Sequence, residues 1–270
     1  MEEKDKAVAA FSGADVEQPM ANSPINQGDQ KTPGYAWVIW IVTFLVSFAA
    51  PLGQFKLVSM PLDFILVPGI SPDGCFGLDA AGFGWLMTAV SVIGIILAFP
   101  GAFICRKIGL RNTIAIATLG VIIGGLIPVL MPGNNIPAMF VGRVIEGMGI
   151  GLVGVAAPTL ITLWFPPKTR GLALGLWCLW VPLAITFNSI VCPPIAGAFG
   201  WRGVFWFVII FAVVALILFW IFFKVPEGEG ASYNVEGGFS DCVALLKNKN
   251  IWFLGIAFCI FIAEIGRAHV

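Results

Sequence analysis

Two charged residues stand inside an otherwise apolar run. The stretch Gly142-Arg143-Val-Ile-Glu146-Gly147-Met-Gly149-Ile-Gly151-Leu-Val-Gly154 places Arg143 and Glu146 three residues apart, so on a helix they share one face. A guanidinium is always charged and forks onto a carboxylate, which suits contact with an anionic group. A carboxyl beside it in a partly buried place can have a tuned pKa, which suits proton or ion coupling. The competing reading is a structural ion pair that locks neighbouring helices. Either way, an ionisable residue near the centre of a membrane helix costs about 3 kcal/mol on insertion scales, so it normally faces a wet cavity or a partner. Gln54 and Asn188 lie in other apolar runs and add neutral hydrogen-bonding capacity. Lys56, at the outer end of the first run, reads as snorkelling to the interface. Gly147, Gly151 and Gly154 read as small packing positions that let a second helix approach closely.

The elements that must carry these residues follow from composition. Apolar residues make up 59% and charged residues 11% of the chain, less than half the charge of an ordinary soluble domain, about 25%. The apolar runs fall at about 35–55, 83–105, 113–131, 138–162, 171–194 and 204–223, and another opens at 251. Each complete run is long enough to cross a hydrocarbon core of about 30 Å as a helix. Helices satisfy their own backbone groups in lipid, whereas barrel strands would be shorter and would alternate in polarity. The expected fold is an all-α membrane protein with six complete spans and the start of a seventh.

Loop charges suggest the orientation. Arg106, Lys107 and Arg111 follow the second run, Lys168 and Arg170 the fourth, and Lys224, Lys247 and Lys249 the sixth. The alternate loops are poor in Lys and Arg. The positive-inside rule therefore puts the basic loops and the N-terminus in the cytoplasm of a multi-pass cell-membrane protein. Residues 1–34 read as a disordered cytoplasmic tail and not as a cleaved signal. Residues 35–224 read as the bundle, 225–250 as a cytoplasmic linker, and 251–264 as the opening of the seventh span. The last six residues, 265–270, depart from the apolar pattern and read as a non-native tail, so His269 is given no chemistry.

A net charge of zero gives no case for nucleic-acid binding. The six Cys show no metal-ligand spacing and read as small apolar fillers. No metal and no cofactor are expected. An intramembrane enzyme would need a nucleophile with a base or a ligand set, and neither HExxH, Gly-x-Ser-x-Gly nor a paired Asp occurs within the runs. A channel would need a re-entrant filter. The segment Met60–Pro68 is the one candidate for that, and it reads better as a loop over the outer mouth. A six-helix channel subunit therefore stays open as the alternative.

Several of these segments together resemble the major facilitator superfamily. The end of the second run, with Gly101, Arg106, Lys107, Gly109 and Arg111, is similar to that family's basic cytoplasmic loop motif, although Arg106 stands where the family has an acidic residue. Arg143, Glu146 and the glycines after them resemble its fourth-helix pattern. Cys192-Pro193-Pro194 followed by Gly200-Trp201-Arg202 resembles its fifth helix and the opening of the sixth. Pro193 and Pro194 are expected to kink or end the fifth span. A weaker likeness, through Ala49–Lys56 and Gly84–Met87, is to cyanate/nitrate-type permeases. The resemblance covers about residues 35–265. It implies the N-terminal six-helix bundle of a secondary active transporter working by alternating access. Its partners would be a small-molecule or ion substrate, an organic or inorganic anion among the candidates, meeting Arg143, Glu146, Asn188 and Gln54, together with the lipid bilayer and a missing C-terminal half of the same chain.

Overall fold

The computed structural model describes residues 32–70 and 75–224, together with Trp252, Phe253 and Ile256. The tail before residue 32, the linker 225–250, most of the seventh run and the 265–270 tail lie outside the described residues, as do Cys242 and Cys259. Among the described residues the regular structure is helical: α1 Gly34–Phe55, α2 Ala80–Ile108, α3 Leu110–Leu130, α4 Ile136–Trp164, α5 Pro167–Trp177 and α6 Trp180–Phe222. Short 3₁₀ turns, Lys56–Ser59 and Pro61–Asp63, follow α1. The five apolar runs built from these helices are each long enough to cross a bilayer, and the last spans Pro167–Phe222.

Helix ends follow local chemistry. The carboxylate of Asp79 accepts from the Gly82 N–H and caps α2, and the Asn135 side chain accepts from the Ala138 N–H at the start of α4. The break between α2 and α3 falls at Gly109, with φ 83°, a backbone conformation that costs glycine little. At the end of α4, Arg170 donates to the Phe165 and Thr162 carbonyls, which are among the groups a helix C-terminus leaves open.

The last run departs from the expected boundaries. It was expected to end at Pro194 and resume at Val204, but the helix continues through both prolines. A pause comes earlier, at Cys178–Leu179 between α5 and α6. The sharp break falls at Gly200, with φ 67° and ψ −177°. Adjacent prolines remove two ladder hydrogen bonds but hold φ at a helical value. Gly200 adopts a backbone that other residues rarely reach, and it redirects the chain. Without that break, 43 helical residues would extend about 65 Å, twice the thickness of a hydrocarbon core.

Packing centres on α4, which lies against α2, α3 and α1, while α1 also packs on α6. The contact with α2 depends on missing side chains. A Cβ on Gly147 would stand 2.7 Å from the Val90 carbonyl oxygen, and one on Gly151 would stand 2.6 Å from the Gly94 carbonyl oxygen. Gly154 differs from the expectation, because a Cβ there would meet nothing within 4 Å. Crossing helices touch backbone to backbone over a turn or two only. By Gly101 the α2 surface meets the Leu152 and Val155 side chains, at 3.5 and 3.6 Å from a built Cβ. Gly147→Val and Gly151→Val are each expected to cost about 1–3 kcal/mol through overpacking, whereas Gly154→Val is expected to fall within about 0.5 kcal/mol of wild type. Thermal unfolding of the three detergent-purified variants checks this, and equal losses would contradict it.

The basic loop is tied to the end of α6. Arg111 lies 4.0 Å over the Trp220 ring and donates to the Trp220 carbonyl at 3.3 Å. Arg106 faces the Phe103 ring on its own helix. The Tyr35 hydroxyl donates to the Phe222 carbonyl, and Lys224 lies over the Tyr35 ring. The N-terminus of α1, the start of α3 and the end of α6 therefore meet at one end of the bundle. The segment after α1, the one filter candidate, packs as a loop. Met60 and Phe64 are buried with Phe76 and Trp201, Phe64 stacks on Phe76, and Leu66 and Leu78 pair through their backbones.

Candidate functional site

The charged residues buried among the described ones are Lys56, Arg143 and Glu146, and they form one cluster. The relative exposures of Lys56 and Glu146 are 0% and 2%, and that of Arg143 is 1%. Glu146 stands between the two cations. One carboxylate oxygen accepts from Lys56 Nζ and the other from an Arg143 terminal nitrogen. The i,i+3 spacing on α4 brings Arg143 and Glu146 together, as the sequence led one to expect. Space for the carboxylate comes from α3, where a Cβ on Gly124 would lie 2.6 Å from Glu146 Cγ.

Arg143 also closes the end of α1. It donates to the Gly53 carbonyl at 2.7 Å, the Gln54 carbonyl at 2.6 Å and, at 3.5 Å, the Leu86 carbonyl of α2. Gly53 and Gln54 belong to the last turn of α1, whose carbonyls have no helical partner. With Glu146 included, those bonds occupy four of the five N–H donors of a guanidinium. The sequence reading gave Arg143 an anionic ligand as its contact. In the structure its donors are directed at protein carbonyls and at Glu146.

Asn188 is fully buried on α6 and donates to the Leu52 carbonyl at 3.1 Å, while its own oxygen accepts from the Cys192 thiol. It is thus a second side chain closing the α1 terminus. Gln54 is half-buried and donates to Ser91 of α2 at 3.1 Å. Gln54, Arg143, Glu146 and Asn188 all converge on the C-terminal end of α1.

The residue that sequence reasoning misplaced is Lys56. It does not snorkel. α1 turns into a 3₁₀ segment at Lys56, which folds the side chain inward onto Glu146. The ammonium lies 3.8 Å over the Phe205 ring of α6, a favourable cation–π position that is stronger when desolvated. A long, flexible stem allows either placement. The signal that separates them is Glu146 on another helix, which spacing within one run does not show.

Among the described residues, no group of three His, Cys, Asp or Glu could hold a metal ion. Of the described cysteines, Cys105 and Cys192 are buried as fillers, while Cys178 is exposed.

Comparison with known proteins places this architecture. The chain is 29% identical over 208 residues to the uncharacterized MFS-type transporter YcnB of Bacillus subtilis (strain 168), covering 74% of this chain and 40% of that protein. It is 29% identical over 171 residues to the MFS-type transporter YhcA of the same organism, covering 60% of this chain and 30% of that protein. The chain therefore spans well under half the length of these relatives. A crystal structure of a D-xylose-proton symporter shares the fold, with a TM-score of 0.54 at 19% identity over 78% of this chain and 52% of the other. These similarities do not indicate the cyanate/nitrate type. A family model of the Major Facilitator Superfamily matches residues 35–266, and the chain, an all-helical membrane protein, belongs to that superfamily.

Proposed function

We propose that this chain forms the N-terminal bundle of a secondary active transporter that moves a small solute by alternating access. The observation that carries this reading is the buried Lys56–Glu146–Arg143 cluster at the junction of α1, α4 and the 3₁₀ turn. A membrane protein rarely keeps ionised groups at such a place without a transport or coupling role. In this reading the break at Gly200 divides the last helical run, giving six spans, with the basic loops and both ends of the bundle in the cytoplasm. A second bundle completes the pathway, and the two rock around a site near the midplane of the cell membrane.

The solute carries an anionic group, organic or inorganic, that meets the positive cluster. Glu146 is the coupling carboxylate, Arg143 holds it in register, and Asn188 and Gln54 supply neutral contacts at the same helix end. The relatives' own names as transporters support the general activity and leave the solute open.

Uptake of radiolabelled organic and inorganic anions into proteoliposomes that hold this bundle joined to the second one, with and without an imposed proton gradient, tests the reading. The expected result is gradient-driven accumulation of one class of anion. Passive, channel-like equilibration at ion-channel rates would refute alternating access.

A further inference from the structure

We propose that Lys56 is the residue that takes the substrate's charge, that the substrate is a small monocarboxylate, and that Glu146 is a built-in stand-in for it. This rests on the transporter reading above.

In their ordinary ionisation states Lys56 and Arg143 bring two positive charges and Glu146 one negative charge, so the buried cluster carries an excess of one positive charge. The C-terminal end of α1 contributes about half an elementary negative charge, which leaves the site positive. The other buried polar side chains among the described residues, Thr43, Ser47, Thr113, Thr118 and Asn188, are neutral. A fixed excess charge in a buried membrane site is costly. A monoanion of the right size removes that cost.

The two cations differ in what already holds them. Arg143 is bound to Glu146 and to the Gly53, Gln54 and Leu86 carbonyls, so moving it would strip three carbonyls as well as the carboxylate. Lys56 Nζ is held by one carboxylate oxygen and the face of the Phe205 ring. Its four-carbon stem and rotatable ammonium can move without moving the backbone. When Lys56 swings away, Glu146 stays paired with Arg143 and is not left bare. Lys56 is therefore the group that can change partner at least cost.

The ligand class follows from what occupies the place now. The group accepted by Lys56 is itself a carboxylate, approached from one oxygen. A substrate carboxylate can present the same oxygen to the same ammonium. Phe205 of α6 lies against the Lys56 ammonium, and the half-buried Gln54 stands two residues before it in the chain. An apolar body attached to the carboxylate would meet the Phe205 side.

The experiment uses the purified transporter, this bundle joined to the second one, in lipid nanodiscs and needs no transport. Binding of formate, acetate and benzoate is measured by calorimetry against formamide, acetamide and benzamide, the uncharged isosteres. Wild type is expected to favour a carboxylate over its amide by about tenfold or more, the factor one charge-assisted hydrogen bond carries. Lys56→Met and Lys56→Gln are expected to lose that preference, and Lys56→Arg to keep it. Lys56→Met is also expected to raise Tm by about 3 °C, because it leaves a balanced Arg143–Glu146 pair. A Lys56 that merely held the bundle together would lower Tm on replacement.

Retention of the preference in Lys56→Met or Lys56→Gln would overturn the proposal, as would failure of wild type to distinguish any carboxylate from its amide. Either result leaves gradient-driven uptake standing as a separate measurement. Loss of that uptake with carboxylate binding intact would instead remove the transporter reading alone.

Discussion

Replacing Glu146 with Ala is expected to cost about 3–5 kcal/mol of stability, the loss seen when one partner of a buried ion pair is removed. The physical reason is what remains. Lys56 and Arg143 would face each other as buried cations with no anion between them. Each still has a minor partner, the Phe205 ring for Lys56 and the α1 carbonyls for Arg143, but neither neutralises a charge. The double variant Glu146→Ala/Lys56→Met is then expected to be more stable than Glu146→Ala alone, since it leaves one cation already bonded to carbonyls. Gly124 and Gly125 line the space the carboxylate fills, so part of the loss comes from a cavity and persists in the double variant. Denaturant unfolding in detergent of wild type, both single variants and the double variant gives the coupling energy directly. A double variant no better than Glu146→Ala would show that charge balance is not what the cluster supplies.

The sequence carried the parts of this site that depend on spacing within one helix. Arg143 and Glu146 could be paired because three residues is nearly one helical turn, and Gly147 and Gly151 because four residues is slightly more than one. Apolar length alone located the runs, because a bilayer imposes one span length on them all. What the sequence hid depends on geometry between helices. Lys56 looked interfacial because nothing within its own run showed the chain turning into a 3₁₀ segment and folding it onto α4. Gly154 falls on nearly the same face as Gly147, yet a Cβ there would meet nothing, while α2 now touches the Leu152 and Val155 side chains on either side of it, and a crossing angle is not written in either helix. Pro193 and Pro194 announce a break by type, although the helix runs through them. Gly200 announces its break only by a positive φ. Asn188 was visible as a lone polar residue in an apolar run, but its partner, the Leu52 carbonyl, is a backbone group that any residue supplies.

Replacing Arg143 with Met should cost a similar amount, about 3–5 kcal/mol, but for a different reason. Glu146 would keep Lys56 as its cation, so the charge would be balanced. The loss would come from the Gly53 and Gln54 carbonyls at the end of α1, which now accept from Arg143, whereas the Leu86 carbonyl, inside α2, keeps its helical donor. A buried carbonyl left without a donor costs about 1–3 kcal/mol. In lipid no water is at hand to replace the missing donor. This separates the two cations of the cluster: losing Lys56 should stabilise the chain, and losing Arg143 should destabilise it, although each replacement removes one positive charge. Arg143→Lys sharpens the point. It restores the charge but brings a compact ammonium in place of a planar fork, and one ammonium cannot reach acceptors on α1, α2 and α4 together. Its expected recovery is less than half of the Arg143→Met loss, measured by thermal unfolding of detergent-purified protein. Full recovery in Arg143→Lys would mean that charge, and not the fork closing the end of α1, is what this position supplies. The geometry argues for the fork, since three of the four groups bonded to Arg143 are neutral carbonyls.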